Sequence, residues 1–360
     1  MLVHICCAVD SHYFLQKLRE EYPNEKLTGF FYDPNIHPYS EYRLRLLDVE
    51  RSCKMLGIEL IEGEYDTQNW LEAVRGLEHE PEKGARCSVC FDRRFEVSAQ
   101  KAKELGESTY TSTLLTSPKK SLKQLQKAGD ALAEREGIRF IAPDYRKASG
   151  TQEQNQLAKE DALYRQDYCG CLFGLTMQRD QQDKLADELF SPISGQIQPE
   201  SIDARLKMYE KRIDLEEKGQ PYKMIKERFL NWRLMRGYLK VRKEVVPVHF
   251  LPYSTLKNSY TRGKIDYHLG EIHHMSRDEI RFITLEYYNQ LAGTEYSTIT
   301  RLIYHPPSFE EEIKIRNQIV HTPFDLGAIL VVESIPNKKI EVILDTKTYN
   351  DVKESLIELD

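Results

Sequence analysis

Six of the seven cysteines in this 360-residue chain stand in close pairs. The two members of a pair are adjacent or separated by one or two residues, so one short loop or helical turn can direct both sulfurs toward a common centre. Thiolates are soft ligands, and such pairs are typical of sites for iron–sulfur clusters or zinc. The paired residues are Cys6, Cys7, Cys87, Cys90, Cys169 and Cys171. The sequence therefore predicts a metal site built from these thiolates.

Three kinds of site remain open for the paired cysteines. A structural zinc ion takes four ligands, fewer than the paired thiols supply, and adjacent cysteines are poorly shaped to chelate one small ion. A thioredoxin-type redox pair would use only Cys87 and Cys90 and leave the other pairs without a role. An iron–sulfur cluster accounts for most of the thiolates, and we favour it over the other two.

Cys53 and Asp10 lie outside these cysteine pairs. Cys53 is isolated on the apolar stripe of a predicted helix, and we expect a buried, inert thiol there. Asp10 follows Cys7 by three residues. Its carboxylate either caps the helix that begins near Ser11 or provides an oxygen ligand to a metal beside the cysteines.

Each cysteine pair follows a predicted strand or adjoins a helix end in the first half of the chain. Strands are predicted at 2–9, 27–32, 58–65, 109–115 and 139–142, and helices at 11–22, 40–57, 67–76, 87–105, 121–137 and 151–166. This alternation predicts a Rossmann-like α/β fold, a parallel sheet with helices on both faces. Such sheets bind ligands beyond the carboxyl ends of their strands, so we expect the pairs to converge there.

The pattern changes near residue 178. We therefore predict a catalytic α/β domain over 1–178 and an additional C-terminal α+β domain over 179–360, in keeping with the chain length. In the second domain we predict a helix over 280–291 and a hairpin formed by 328–334 and 339–344.

One segment of the second domain is basic. Residues 201–264 contain sixteen Lys or Arg against seven Asp or Glu, a local charge of +9 in a chain with a net charge of −6. Its cations alternate with aromatic residues that could stack on unpaired RNA bases, although the same spacing suits an ordinary amphipathic helix. The residues concerned are Arg228, Phe229, Trp232, Arg233, Arg236, Tyr238, Lys240, Arg242 and Lys243.

The whole-chain composition excludes a membrane protein. Hydrophobic residues make up 40% of the chain and charged residues 30%, and no apolar stretch is long enough to span a bilayer. The N-terminal residues lack the basic region and cleavage pattern of a signal peptide. We therefore expect a cytoplasmic protein whose cysteines stay reduced.

Five strings of the sequence resemble the cobalamin-independent epoxyqueuosine reductases of the QueH type. They are His4-Ile5-Cys6-Cys7-Ala8; Phe31 to Pro38 followed by Glu41, Tyr42 and Arg45; Arg86-Cys87 with Cys90-Phe91; Thr113-Leu114-Leu115 with Ser117-Pro118; and Tyr164-Arg165-Gln166 with Tyr168-Cys169-Gly170-Cys171. The order and spacing of all five agree with the family, over the chain to about residue 175.

The resemblance implies an activity, a cofactor and partners. The family reduces the epoxide of epoxyqueuosine, at the wobble position of tRNA, to the alkene of queuosine. Its members are similar to the nucleotide alpha-hydrolase-like fold and carry a [4Fe–4S] cluster with an adjacent mononuclear iron. By this resemblance the six paired cysteines hold the metals, and Asp10 is favoured as a ligand of the adjacent iron. The implied partners are tRNA carrying epoxyqueuosine and an unidentified electron donor.

Reduction of an epoxide to an alkene needs two electrons, two protons and a Lewis acid for the oxygen. The candidate proton donors are His37, Tyr164, Arg165 and Tyr168, because they belong to the matching strings. A structural role in loop packing is open for each of them.

Two other functions fit part of the sequence. A tRNA thiolation enzyme would share the α/β core and paired cysteines, but it needs a phosphate-binding loop where this chain has Cys6-Cys7-Ala8-Val9-Asp10-Ser11. The remaining alternative is a zinc-stabilised RNA-binding module without redox activity.

Overall fold

The structure, a computed structural model, describes residues 1–117, 121–147, 149–190 and 195–359. The chain divides into two compact units, Met1–Phe190 with Arg205–Pro221 and Ser191–Ala204 with Tyr222–Asp360. The first unit thus extends past residue 178, where the sequence placed the end of the α/β domain, and it also takes 205–221. Of the helices in the described ranges, none is long and apolar enough to cross a membrane.

A five-stranded sheet forms the centre of the first unit, and all its neighbouring strands are parallel. The strands are β1 (Leu2–Ile5), β2 (Thr28–Phe31), β3 (Glu59–Glu62), β4 (Thr109–Ser112) and β5 (Arg139–Phe140). Their order is β3-β2-β1-β4-β5, so the direction of the chain across the sheet reverses between β1 and β4. The predicted Rossmann-like α/β fold is confirmed, and ligands of such folds bind at this reversal.

β1 and β2 are buried along their whole length and have no solvent-facing side, as expected for a parallel sheet that is covered by helices. The helices are α1 (Ala8–Glu21), α2 (Tyr39–Leu56), α3 (Thr67–Ala73), α4 (Ala85–Glu104), α5 (Leu122–Glu136), α6 (Gly150–Glu160) and α7 (Leu172–Gln181). The helix predicted over 151–166 ends early, at Glu160. Beyond that point the backbone N–H of Tyr164 donates to Asp48 Oδ2 at 2.7 Å, which draws the chain into the core instead.

α8 (Ile202–Glu217) lies mostly in the first unit, which includes Arg205–Pro221. The second unit is mainly β-structure. Its elements are β6 (Tyr222–Val241), β7 (Glu244–Val246), β8 (His249–Phe250), β9 (Tyr260–Gly263), β10 (Tyr267–Leu269), β11 (Ile272–Met275), β12 (Ile280–Thr284), α9 (Leu285–Ala292), α10 (Ile299–Tyr304), α11 (Phe309–Ile319), β13 (Ile329–Val332) and β14 (Ile340–Glu358). Its strands form two sheets, β10-β11-β12-β13-β8 and β7-β6-β14-β9.

Two predictions for this half of the chain are wrong, and one interpretation that was left open is excluded. The segment 280–291 begins as a strand, β12, and becomes helical only at Leu285. The predicted hairpin does not form, because β13 pairs with β12 and β8 whereas β14 pairs with β6 and β9. The segment that could have formed an amphipathic helix lies, from Arg228 to Lys240, in the 20-residue strand β6, which pairs with the 19-residue β14 along its length, and Arg242 and Lys243 follow in a turn. That long ladder stabilises the extended form of both segments over any local alternative.

Candidate metal centre

The first cysteine pair and Asp10 meet just beyond the carboxyl end of β1. Cys6 Sγ lies 4.0 Å from Cys7 Sγ and 3.8 Å from Asp10 Oδ2, and ligand atoms of all three lie within 4.8 Å of one another. Both cysteines are buried and Asp10 is half-buried. In the described ranges this is the one group of three or more His, Cys, Asp or Glu side chains with such spacing. Two soft thiolates and a hard carboxylate can together hold a transition metal.

The electrostatics of this group favour a bound cation. The contact with the Cys6 thiol, burial and the charge of Asp10 raise the pKa of the Cys7 thiol well above its usual range. Without a cation, therefore, the second thiol resists deprotonation beside the first. A metal ion would remove that resistance by neutralising the charges, since metal ligands must bind in their deprotonated forms.

Asp10 does not cap α1. The N-cap residue is Cys7, and Asp10 lies in the first turn of the helix. A carboxylate in this position is still stabilised by the helix dipole. Its oxygens make side-chain contacts instead, since Oδ1 accepts a hydrogen bond from Gln154 Nε2 at 2.7 Å while Oδ2 faces Cys6. The helix-cap interpretation is therefore wrong, and the carboxylate faces the thiols.

Arg45, a buried residue of α2, holds the loop of the third cysteine pair. Its guanidinium donates to the carbonyl oxygens of Tyr168 at 3.1 Å and Cys169 at 3.2 Å. The remaining Nε–H donates to Glu41 at 2.7 Å, and the guanidinium also lies over the Tyr168 ring. One side chain thus satisfies two carbonyls of an irregular segment that would otherwise lack partners.

Gly170 lets this loop approach the segment after β2. Its φ of +102° is a conformation that side chains rarely adopt, and an added Cβ would lie 2.8 Å from Ile36 Cγ1. Its carbonyl accepts a hydrogen bond from the His37 N–H at 2.9 Å, and Cys171 forms an isolated bridge with Ile36. The loop and the segment therefore pack backbone to backbone, which requires glycine.

The second pair, on α4, adjoins the third. Cys90 and Cys171 pack in one apolar cluster with Trp70. Burial, reinforced by the charges of Cys169 and Cys171, raises the pKa of the Cys90 thiol to about 12. Cys87 is half-buried, and its sulfur accepts a hydrogen bond from the Lys83 N–H at 3.2 Å.

Arg94 connects the three pairs electrostatically. It follows Cys90 by one helical turn on the same face of α4, is buried, and forms an ion pair with buried Asp33. Its positive charge acts on Cys6, Cys90 and Cys169, one member of each pair. A buried cation among thiols favours their thiolate forms.

A cavity of about 240 Å³ opens at this edge of the sheet. One member of the third pair and both members of the first contribute to its wall. Its lining residues are Cys6, Cys7, Val9, Asp10, Arg45, Glu82, Arg94, Leu114, Ser117, Gln154, Asn155, Arg165, Gln166, Asp167, Tyr168 and Cys169. Cys87, Cys90 and Cys171 are outside this lining, and Cys53 is buried in the core of the unit.

The four candidate proton donors differ in position. Arg165 and Tyr168 line the cavity, whereas His37 and Tyr164 are not among its lining residues. The Tyr164 hydroxyl donates to Glu41 Oε2 and the Tyr168 hydroxyl to the His37 carbonyl, each at 2.8 Å. Burial raises the pKa of both tyrosines and lowers that of His37, so the hydroxyls stay protonated and the imidazole neutral near pH 7. Arg165 is exposed and hydrogen-bonds Asn155.

Arg94 and Gln154 line the cavity and had no role in the sequence-based prediction. Arg94 could have been found, because it stands four residues after Cys90 on a predicted helix. No local signal marks Gln154, which is brought to Asp10 only by the packing of α6 against α1. Of the matching strings, Pro118 lies outside the described residues.

Known proteins match either the first half of this sequence or nearly all of it. A family model described as "Epoxyqueuosine reductase QueH" matches residues 1–177. The epoxyqueuosine reductase QueH of Helicobacter pylori is 39% identical over 356 residues, which are 95% of this chain and 96% of that protein. The Thermotoga maritima protein of the same name is 34% identical over 189 residues, 52% of this chain and 95% of its own.

A solved structure aligns at a lower level. The U34-tRNA thiolase NcsA from Methanococcus maripaludis with its [4Fe-4S] cluster covers 59% of this chain and 73% of its own, with 18% identity and a TM-score of 0.33. A likeness at that level supports no conclusion about the site.

Proposed function

This chain belongs to the QueH family of epoxyqueuosine reductases, and from that premise we propose that it converts epoxyqueuosine in tRNA to queuosine. The reaction is a two-electron reductive deoxygenation of an epoxide, so the chain is an oxidoreductase. The observation that supports it is the convergence of Cys6, Cys7, Asp10 and Cys169 on one cavity beyond the carboxyl ends of the parallel strands. A closed structural site would have no need of a cavity.

The proposed cofactor is a [4Fe–4S] cluster with an adjacent mononuclear iron. The donors fit, because thiolates are the usual ligands of clusters and a carboxylate among them suits a harder iron. We assign the six paired cysteines to the metals and Asp10 to the adjacent iron. When bound, the metals would supply single electrons and a Lewis acid for the epoxide oxygen.

The protein's own side chains hold the site together and receive the substrate. Because their hydroxyls already donate to fixed acceptors, we assign Tyr164 and Tyr168 to positioning the loop before Cys169, together with His37. Arg165 is exposed at the cavity, and we assign it to contacting the substrate. The reaction would take place in the cytoplasm, where thiols stay reduced.

We further propose that the second unit helps to hold tRNA, through one face of the sheet β7-β6-β14-β9. Directly opposed residues of antiparallel strands share a face. Tyr238, Ile343 and Tyr260 form one row by this rule, and Lys240, Glu341 and Arg262 form another. The two tyrosines offer stacking surfaces for unpaired bases, and the cations can contact phosphates. These two rows, with Arg236 beside them, are called the tyrosine face below.

Two residues of the predicted basic and aromatic set make structural contacts instead. Trp232 and Arg233 are buried. Trp232 Nε1 donates to the Ser254 carbonyl at 3.0 Å, and Arg233 donates to the Pro199 carbonyl at 2.8 Å. Their contacts are structural, so the tRNA contacts expected of them from the sequence are assigned to Arg236, Lys240 and Arg262 instead.

Anaerobic purification and a turnover assay test the function. The protein, reduced chemically with dithionite, is mixed with tRNA carrying epoxyqueuosine, and the digested nucleosides are separated by mass. We expect a brown protein and conversion to queuosine. A colourless zinc-containing protein that binds the tRNA without converting it would establish the alternative, a zinc-stabilised RNA-binding module.

A further inference from the structure

We propose that Gln154 is a positioning residue for the metal centre, one that orients the Asp10 carboxylate so that Oδ2 is presented to the metal. The inference rests on the proposed function, because it takes Asp10 to be a ligand. Gln154 lies on α6, is buried, and donates from Nε2 to Asp10 Oδ1 at 2.7 Å. The same nitrogen lies 3.4 Å from the Val9 carbonyl oxygen. Asp10 Oδ2, the other oxygen, lies 3.8 Å from Cys6 Sγ.

The identity of the contacting atom follows from its neighbours. Asp10 Oδ1 and the Val9 carbonyl are both acceptors, so only the NH₂ end of the amide can lie between them. Glutamine supplies this donor without a charge. A lysine or arginine here would neutralise the carboxylate and compete with a metal for it, whereas an amide leaves its charge intact.

The packing of α6 keeps the amide in place. α6 begins at Gly150, where an added Cβ would lie 1.9 Å from the Tyr145 carbonyl oxygen, so the helix packs directly on that backbone. The Tyr13 hydroxyl of α1 lies 3.4 Å from both the Tyr145 carbonyl and Glu153 Oε2. Two helices from distant parts of the sequence are thereby joined one turn from the contact between Gln154 and Asp10.

The two carboxylate oxygens of Asp10 therefore have different roles. With Oδ1 held by the amide, Oδ2 is the oxygen directed at the thiols, and the carboxylate cannot rotate away without breaking this hydrogen bond. Residues that hydrogen-bond to metal ligands typically contribute 10–100-fold to metal affinity. Removal of the amide should therefore weaken the iron held by Asp10 and leave a cluster held by cysteines in place.

The experiment compares Gln154→Met, which keeps the side-chain length but has no donor, with Gln156→Leu. Gln156 lies on the same helix, is exposed and hydrogen-bonds Glu160, so it is a matched control. The readouts are iron and sulfide per chain, the Mössbauer signal of iron outside the cluster, and Fe²⁺ affinity from competition with a chelator. We expect affinity for the extra iron to fall by about 10–100-fold in Gln154→Met, with sulfide and unfolding temperature near those of the control.

A double-mutant cycle separates positioning from general packing. In an Asp10→Asn background, Gln154→Met should cause no further loss of iron if the amide acts only through the carboxylate. Equal losses in both backgrounds, or unchanged iron in Gln154→Met, would overturn the inference. Wild-type protein that holds no iron beyond its cluster would instead refute the proposed metal centre itself, so the two failures are distinguishable.

Discussion

A buried polar cluster in each unit shows a contrast. In the second unit, Glu312 is buried and accepts hydrogen bonds from His249, Tyr288 and Gln196, so both its oxygens have partners. In the first unit, Arg94 Nε and Gln166 Oε1 are buried without a hydrogen-bond partner, and both residues line the cavity. Buried polar atoms without partners are rare and call for an explanation. The Glu312 cluster of the second unit stabilises the fold. The cluster of the first unit leaves donors and acceptors beside a cavity that a ligand can fill.

The relatives divide along a similar line. The T. maritima protein is matched over 95% of its own length by 52% of this chain, whereas the H. pylori protein is matched over 95% of this chain. A protein with the reductase name thus exists with little beyond the matched half. We infer that the chemistry belongs to the first unit and that the second adds to it.

The largest effects are expected at the cysteines, which test whether the chemistry belongs to the first unit. Alanine at any of Cys6, Cys7, Cys87, Cys90, Cys169 or Cys171 should abolish turnover and lower iron and sulfide content, because each is a proposed metal ligand. Cys53→Ala should leave both near wild type, since this thiol is buried in the core and its pKa is raised to about 12 by burial. Metal analysis of anaerobically purified variants measures this. Full iron content in Cys87→Ala would remove Cys87 from the ligand set, and iron loss in Cys53→Ala would contradict the assignment.

Two neighbouring glycines test whether the loop of the third pair must keep its backbone conformation. Gly170→Ala should be destabilising by on the order of 1–3 kcal/mol, because its φ of +102° and its contact with Ile36 both exclude a side chain. Iron content should fall with it. Gly174, inside α7, has no atom closer than 3.9 Å to an added Cβ, so Gly174→Ala should be neutral or stabilising. Chemical unfolding and iron analysis compare them; equal stability of the two variants would argue against a required glycine.

Local signals were sufficient for most of the first unit. β1 and β2 are short, mostly apolar segments that are fully buried, and their alternation with amphipathic helices predicts a parallel sheet before any pairing is known. The cysteine spacing predicted a metal site because each pair lies within one loop or helical turn. The contacts of Gln154 with Asp10 and of Arg94 with Asp33 could not be predicted, since they depend on how separate helices pack.

The second unit shows the opposite case. Its longest pairing joins β6 and β14, whose paired residues Val241 and Ile340 are about a hundred positions apart. A pattern of alternating cations and aromatic residues, read without its partner strand, fits a helix or a strand. The hairpin expected near residue 336 was wrong for the same reason, because the adjacent strands enter different sheets.

A change at Glu312 tests the second unit's network directly. Glu312→Gln replaces one acceptor oxygen by a donor, so one of the three partners loses its acceptor, and we expect a decrease of about 1–3 kcal/mol in unfolding free energy. Iron content and turnover should not change, because the contacts that Glu312 makes lie within the second unit. Glu310→Gln, at an exposed position of the same helix, is the control. Loss of iron in Glu312→Gln but not in Glu310→Gln would show that the buried network of the second unit affects the metal centre.

The smallest effect is expected at the tyrosine face. Replacing Arg236, Lys240 and Arg262 together by glutamine should raise the KM for tRNA several-fold and leave kcat and iron content unchanged. Glutamine is used rather than a carboxylate because Arg262 lies 3.4 Å from Glu341 and Arg236 lies 3.9 Å from Asp345. A reversed charge would therefore place two carboxylates together and disturb the sheet.

Salt dependence distinguishes a docking role from a purely structural one. Each cation that binds a phosphate releases a counterion, so the slope of log affinity against log salt should become shallower by roughly 0.7 for each phosphate-binding cation that is replaced. A control with Lys103, Lys123 and Lys127 replaced by glutamine makes the same charge change on exposed positions of the first unit. If both triple variants lower affinity and slope alike, the effect belongs to the charge of the whole protein. If only the tyrosine-face variant does so, binding of the tRNA backbone is assigned to the second unit, because the two variants change the net charge equally and differ only in where the charge is removed.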